Sequence, residues 1–550
     1  MAYTPNPTVV NNFKISGDYR IDALIYTDNS RWNVGSAFGT PVTLTYSFMT
    51  AVPSYGGNVS DTAKNFYTFN AAQQLAFQAA LNEISEASGV TFVQKTDADS
   101  VQIRFGLNDQ TGSAGYAMSP PVDVSKTSTT AYKEAGDVWM NNDESFKSST
   151  LAPATYSRET LVHEILHALG LKHPGTYNGD DAPEPIDATT NILGALEDNT
   201  NYTLMSYIYA PNLIQLGLGD GSVSRYNMGV YDLLALRYLY GTGNINAGDT
   251  THTITDTWGT YLRTIDDVSG VNTVNLSALS TGATLDLNQG AFSSVGQLKT
   301  GDRALNNVSI SYGTVVQNVL GSAYADVVIG NASANNLQTG LGNDVITGGA
   351  GNDIIDGGVG LDTAVWSLAS SNYELTLTSS GTGGTGGIGN TATWQVKAKT
   401  GAEGTDTLTN IERLQFADNF VALDVSGNAG TTAKILGAVF GAAAVNNKQY
   451  AGIGLHYLDN LNYTYSSLMQ LALTAALGDT KNHGKVVDLL YTNVVGMAPS
   501  TADKAYYVSM LDTGSQTPAT LAVLAADTDL NKLKIDLVGL ALHGLPYTPV

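Results

Sequence analysis

His163-Glu164-Ile165-Leu166-His167-Ala168-Leu169-Gly170-Leu171-Lys172-His173-Pro174 is the stretch from which the rest of the 550-residue chain can be read. On a helix, His163 and His167 lie one turn apart on the same face, so both imidazoles reach a single ion. Zinc takes neutral imidazole nitrogens and prefers four ligands in a tetrahedron. Gly170 can adopt a positive φ at no steric cost and turn the chain back, which brings His173 round as a third ligand. Three histidines leave one zinc position for water, the open arrangement of a catalytic site rather than a closed structural one. Glu164, beside the first ligand, is placed to take a proton from that water.

A second signal follows at Thr203-Leu204-Met205-Ser206-Tyr207. With H-E-x-x-H-x-x-G-x-x-H and a downstream Met-turn in the right order, the chain resembles the metzincin metalloproteases. The His-Pro pair at 173–174 and Met-Ser-Tyr in the turn are similar to the serralysin branch. The resemblance implies an α+β metzincin zinc protease domain over residues 19–242, hydrolysing peptide bonds of proteins, with one catalytic Zn²⁺. It implies that Met205 packs beneath the zinc, and that Tyr207 contacts the metal and supports the tetrahedral intermediate. Gly115-Tyr116-Ala117 and Gly136-Asp137-Val138-Trp139-Met140-Asn141 also resemble serralysins, in which such a strand edges the cleft and holds an extended peptide by main-chain hydrogen bonds. Val230 to Tyr240, with a glycine stop at Gly241, reads as the closing helix of this domain.

Composition narrows the partners. The net charge is −23, with 26 Lys+Arg against 49 Asp+Glu. Phosphate binding needs basic patches, so nucleic acid is excluded as a partner. There is no cysteine, which removes disulfides, cysteine-ligated zinc and a thiol nucleophile. No run of 18 apolar residues predicts a membrane span. Residues 1–18 are polar and read as a mobile segment or short propeptide, without the basic and apolar regions of a secretory leader.

Further along, Gly321-Ser322-Ala323-Tyr324-Ala325-Asp326, Gly330 to Asn335, Thr339-Gly340-Leu341-Gly342-Asn343-Asp344, Gly348-Gly349-Ala350-Gly351-Asn352-Asp353 and Gly357-Gly358-Val359-Gly360-Leu361-Asp362 recur at a period of nine. Each precedes a short apolar strand such as Val345-Ile346 or Ile354-Ile355. This is the nonapeptide of the parallel β-roll in RTX proteins. Gly340, Gly342, Gly349, Gly351, Gly358 and Gly360 allow tight turns with exposed carbonyls. Asp344, Asp353 and Asp362 supply hard carboxylate oxygens for several structural Ca²⁺ ions, each of which takes six to eight such ligands. The first two repeats are degenerate, with Asn335 in place of Asp. Residues 243–320 read as strand-like lead-in to the roll, and Gly270-Val271-Asn272-Thr273 is not expected to bind calcium. Asp180, Asp181, Glu184 and Asp187 read as a solvated acidic loop. His252, His456, His483 and His543 are scattered and receive no metal.

From about 430 the composition turns Ala/Leu-rich. Two related helical stretches, Ile435 to Leu458 and Val487 to Leu511, are each followed by an Ala/Leu helix at 470–477 and 519–526. Leu490 to Pro499 resembles a small helical module at the end of RTX-type secreted proteins. The fold expected is thus multidomain: the protease domain (19–242), a β-roll/β-sandwich RTX domain (243–428), and an all-α C-terminal module (429–550) for secretion or partner docking. The resemblance implies a secreted bacterial protein, extracellular or at the cell surface, exported through type I secretion machinery. Two rivals stand beside the general protease. One is a protease restricted to a surface partner, such as a surface-layer protein, docked through residues 429–550. The other is an inactive calcium-dependent scaffold.

Overall fold

The computed structural model describes residues 15–28, 30–55, 64–122, 133–143, 146, 151–175, 192–210, 224–380 and 392–550. The acidic run Asp180, Asp181, Glu184 and Asp187 lies outside them. The chain divides into two compact units: Met1–Thr273 with Leu287–Val316, and Val274–Asp286 with Gln317–Val550.

In the first unit, alternating apolar residues build a sheet of order β3-β1-β4-β6-β5. Its strands are β1 (Val42–Phe48), β3 (Val90–Gln94), β4 (Ile103–Asp109), β5 (Gly115–Ala117) and β6 (Val138–Asn141). Strand β2 (Lys64–Tyr67) pairs with the end of β4. Strands β3, β1, β4 and β6 run parallel; β5 turns back antiparallel on β6. Among the described residues β5 is the outer strand on that side.

Three helices pack into the same core as this sheet: α1 (Ala71–Ala87), α2 (Tyr156–Ala168) and α3 (Val230–Tyr240). Phe77, Phe105, Ile165, Leu166 and Leu236 are all fully buried there. α2 starts at Thr155, whose Oγ1 accepts from the Arg158 N–H, a cap worth about 1 kcal/mol. At its other end Tyr240 OH donates to Leu169 O at 2.7 Å, and Trp32 Nε1 to Ala168 O at 2.8 Å. These bonds satisfy carbonyls that the helix terminus leaves without an intrahelical partner.

The lead-in expected over 243–320 is organised differently. Arg263–Ile265 pairs with Val308–Ile310 and that strand with Phe292–Ser293, and Leu287–Val316 belongs to the first unit. Polar anchors explain it: Arg237 Nη2 meets both oxygens of Asp266 at 2.6–2.8 Å, and Asn227 bonds the backbone of Thr264 in both directions.

In the second unit the nonapeptides form two parallel stacks. Val327–Ile329, Val345–Thr347 and Thr363–Val365 follow one another on one side, and Asn318–Leu320, Asn336–Gln338 and Ile354–Asp356 on the other. Partners are 18 residues apart, as in Val327↔Val345, so successive repeats alternate sides. The apolar pairs split: Ile346 and Ile355 are buried, while Val345 and Ile354 are exposed. Strands Thr405–Thr409 and Arg413–Gln415 extend the two stacks. Beyond them lie helices, among them Asn428–Phe440, Lys448–Asp459, Tyr465–Leu477, His483–Val495, Thr501–Asp512 and Pro518–Ala526. The chain then returns to the roll: Leu545–Tyr547 pairs antiparallel with Phe420–Ala422. The helical region therefore ends in a strand of the roll's own sheet.

Candidate functional site

α2 presents His163 and His167 one turn apart. Gly170 then takes φ +100°, a conformation that disfavours any residue with a Cβ; an added Cβ would also lie 2.6 Å from Ser30 O. The turn brings His173 back to the helix. The three Nε2 atoms form a triangle with edges of 3.0–3.1 Å. His163 Nδ1 lies 2.8 Å from Leu204 O and His167 Nδ1 2.8 Å from Leu171 O. A carbonyl can only accept, so both Nδ1 atoms carry the proton and both Nε2 atoms present lone pairs. Their close approach is a convergence of acceptors, not a set of hydrogen bonds.

Such a cluster fits a cation. Tetrahedral zinc at about 2.0–2.1 Å from imidazole nitrogens sets them about 3.3 Å apart, close to the triangle here. Burial pushes the His163 imidazole down to about 4. Burial and the neighbouring imidazoles lower His173 to about 3 and His167 well below its ordinary value. All three are neutral at pH 7, the form that binds metal. Among the described residues this is the one group of three metal-competent side chains whose ligand atoms converge. His252, by contrast, bonds Asp267, and His483 bonds Asp512.

Glu164 is buried and lines the cleft beside His163. Gly115 of β5 lets the strand pass close, since a Cβ there would sit 2.9 Å from Glu164 Cγ. The Met-turn closes the other side. Met205 is fully buried, while Tyr207 stays 44% exposed, its ring tilted over His173 at 4.5 Å and stacked on His163 at 5.7 Å between centroids. The sequence reading missed what holds this turn, which is Asp232 of α3. Its carboxylate accepts from the backbone N–H of Leu204 and of Gly229, both at 2.8 Å, and from the Thr203 hydroxyl. Leu204 in turn holds His163. An acidic residue at the third position of a helix that opens on Gly229 is a legible N-terminal anchor.

The roll supplies a different set of groups. Asp344 Oδ1 accepts from Asp326 N, Asp353 Oδ1 from Asn335 N, and Asp362 Oδ1 from Asp344 N, each at 2.8 Å. Asp406 Oδ1 and Glu412 Oε2 continue the ladder to the backbone N–H of Asp353 and Asp362. Among the described residues the Oδ2 atoms of Asp344, Asp353 and Asp362 are buried without a hydrogen-bond partner. A buried carboxylate oxygen left so is costly unless a cation meets it. Burial pushes Asp344 and Asp353 up to about 6, and burial with the neighbouring carboxylates pushes Asp362 to about 8. The degenerate repeats differ. Asp326 Oδ1 takes the Ala283 N–H and Ser322 hydroxyl and its Oδ2 the Ser322 N–H; Asn335 Oδ1 takes the Asn331 N–H. Asp406 and Glu412 were also missed, although Asp406-Thr407-Leu408 and Glu412-Arg413-Leu414 keep the acid-x-apolar spacing of Asp353-Ile354-Ile355. They stand outside the period of nine.

Comparison with known proteins agrees with both halves. Residues 58–178 match Matrixin, and residues 329–364 match the RTX calcium-binding nonapeptide repeat in four copies. A metallopeptidase AprA of Pseudomonas marginalis is 32% identical over 311 residues, 54% of this chain and 61% of that protein. A serralysin of Photorhabdus laumondii is 32% identical, covering 54% and 60%, and serralysin G of Dickeya chrysanthemi is 32% identical, covering 56% and 63%. The chain spans about three-fifths of the length of these curated relatives. The two family matches imply a catalytic zinc and structural calcium.

Proposed function

Taking as premise a chain that joins a matrixin-type domain to RTX calcium-binding repeats, we propose that it is a secreted zinc-dependent endopeptidase stabilised by calcium. The observation that carries the reading is the triangle of Nε2 atoms at 3.0–3.1 Å, made of neutral imidazoles with two Nδ1 atoms tied to backbone carbonyls. His163, His167 and His173 would hold the zinc. Bound zinc acidifies a water molecule and polarises a carbonyl. Glu164 takes the proton of the attacking water and passes it to the leaving amine. Tyr207 offers its phenol to the oxygen of the scissile carbonyl as charge develops there. The outer strand β5 receives the substrate as a further strand, leaving side chains to be read by the cleft. In the roll, Asp344, Asp353 and Asp362, with the carbonyls of the turn glycines Gly340, Gly342, Gly349, Gly351, Gly358 and Gly360, would hold calcium.

The domains divide this labour as 19–242 for catalysis, 243–428 for calcium and 429–550 for export or docking. The resemblance to RTX-type secreted proteins implies export by a type I route, and the calcium chemistry suits it: cytoplasmic calcium is low, so the roll folds only outside. A partner-restricted protease is the second reading. It is favoured by the apolar groove of about 300 Å³ among Leu490, Tyr491, Tyr506 and Leu524 in the helical region.

The test is casein hydrolysis in millimolar calcium by wild type and Glu164→Ala, with zinc measured by mass spectrometry in both. Zinc near one per chain in both, with activity at least about a hundredfold lower in the variant, is the expected result. Absence of zinc from wild type would sink the proposal. Zinc without casein hydrolysis in wild type would favour the partner-restricted reading or the inactive scaffold.

A further inference from the structure

Beside the three histidines lies a cleft of about 310 Å³ along one face of α2. It shares His163 and Glu164 with the metal centre, then continues toward the start of the helix. There its described lining is polar: the hydroxyls of Tyr156, Thr160, Thr200, Ser206 and Tyr209, with Glu159 among them. Apart from the metal-centre imidazole, no basic side chain lines it among the described residues.

Glu159 lies one helix turn, about 5.4 Å, before His163. Its carboxylate accepts from the Ser224 hydroxyl and the Arg225 backbone N–H. The Arg225 guanidinium, which stands nearby, does not bond it. All five of its N–H groups go elsewhere: Nε to Asn227 O, Nη1 to Thr200 O and Asn201 O, and Nη2 to Met228 O and Thr264 Oγ1. Arg225 also shares its charge with Asp232, a second buried carboxylate close by. Two carboxylates thus stand against one guanidinium whose N–H groups are all spent elsewhere, and burial pushes Glu159 up to about 7, so a cation brought beside it favours its charged form.

We propose that this cleft receives a basic substrate side chain, arginine or lysine, adjoining the bond that is cut, and that Glu159 recognises its cation. The inference rests on the protease reading above. The long aliphatic stem of such a side chain packs along the Tyr156 and Tyr209 rings while its head reaches the carboxylate. An ion-assisted hydrogen bond in a partly buried cleft is stronger than a neutral one. The Thr160 hydroxyl, whose proton goes to Tyr156 O, accepts a further N–H group of the guanidinium. An apolar residue in the same place desolvates Glu159 and the hydroxyls and returns nothing to them, which selects against it.

The test uses the zinc-loaded full chain in millimolar calcium. A synthetic peptide library is digested and the cut sites are read by mass spectrometry. Then kcat/KM is measured on matched peptides carrying arginine, its uncharged isostere citrulline, or leucine at the favoured flanking position. Cuts enriched beside arginine and lysine are expected, with arginine exceeding citrulline by about tenfold or more. In Glu159→Gln the arginine-to-citrulline ratio should fall toward one, and in Glu159→Lys the preference should turn toward acidic residues. The citrulline comparison is made on the unaltered chain, so it stands even where a variant folds poorly. Peptide cleavage without basic enrichment, or a ratio unchanged in Glu159→Gln, overturns the proposal and leaves the protease reading standing. A zinc-loaded chain that cuts no peptide overturns both.

Discussion

The histidine triangle and the carboxylate ladder both suit a cation, yet they are built in opposite ways. In the first unit the three imidazoles are neutral, and two of them are oriented by bonds to the backbone: His163 to Leu204 O and His167 to Leu171 O. Trp32, Tyr240 and Asp232 tie the helix end and the Met-turn in place. Its core of aromatic and aliphatic residues does not depend on the ion. In the roll, each strand of three residues buries one central side chain, and the turns between them stack Asp344, Asp353 and Asp362, whose Oδ2 atoms have no hydrogen-bond partner among the described residues. One site is organised before its metal arrives; the other needs the metal to be organised at all.

Selective metal removal tests this contrast most severely. Withdrawing calcium with a calcium-selective chelator should abolish the β signal of the roll in circular dichroism and open it to an added protease. Withdrawing zinc alone should remove activity and leave the spectrum unchanged. Unfolding of the first unit on zinc loss, or a roll that keeps its strands without calcium, would erase the distinction.

A smaller effect separates the intact repeats from the degenerate ones. Asp353→Asn removes one ligand charge in the middle of the ladder and should raise the calcium concentration needed for folding by about tenfold. Asp326→Asn should do less, because the Asp326 oxygens are met by Ser322 and Ala283 rather than left for an ion. Calcium titrations followed by circular dichroism compare the two directly. An equal shift in both variants would mean that the partnerless oxygens do not mark the binding sites.

The same comparison explains what the sequence disclosed. Groupings whose members lie close along the chain were legible: His163, His167 and His173 span eleven residues, and Asp344, Asp353 and Asp362 keep the period of nine. Helix spans were legible from periodicity and glycine stops, as at Val230–Tyr240. What escaped depends on pairing between distant residues. Asp406 and Glu412 join the ladder because strands Thr405–Thr409 and Arg413–Gln415 register on the roll, a long-range fact that no local spacing carries. Leu287–Val316 joins the first unit because Val308–Ile310 pairs with Arg263–Ile265, and Leu545–Tyr547 returns to the roll across more than a hundred residues of helical sequence. The carboxylate of Asp232 escaped for the same reason. It acts on a turn about thirty residues upstream.

Asp232 also gives the most discriminating prediction. Its carboxylate receives three donors: Leu204 N–H, Gly229 N–H and the Thr203 hydroxyl. Asp232→Asn keeps the shape but has one acceptor oxygen instead of two. The amide nitrogen must then face a donor, unless the Thr203 hydroxyl turns to accept from it, and that oxygen already takes the Met205 N–H at 3.0 Å. The Met-turn should loosen, and Leu204 O with it, so that His163 loses the carbonyl that fixes its tautomer. Outer partners of metal-bound histidine are worth about 10- to 100-fold in affinity. Here the support passes through one more residue, so zinc affinity should fall by about tenfold, the low end of that range. Competition with a chelating dye measures it. Asp353→Asn strikes a ligand directly, whereas Asp232→Asn strikes the support of a ligand's support, and the zinc site should therefore keep its fold and lose only part of its grip. A variant that binds zinc as tightly as wild type would show that Leu204 holds His163 without help from α3. Global unfolding would show that Asp232 serves the core of the first unit more than its metal centre.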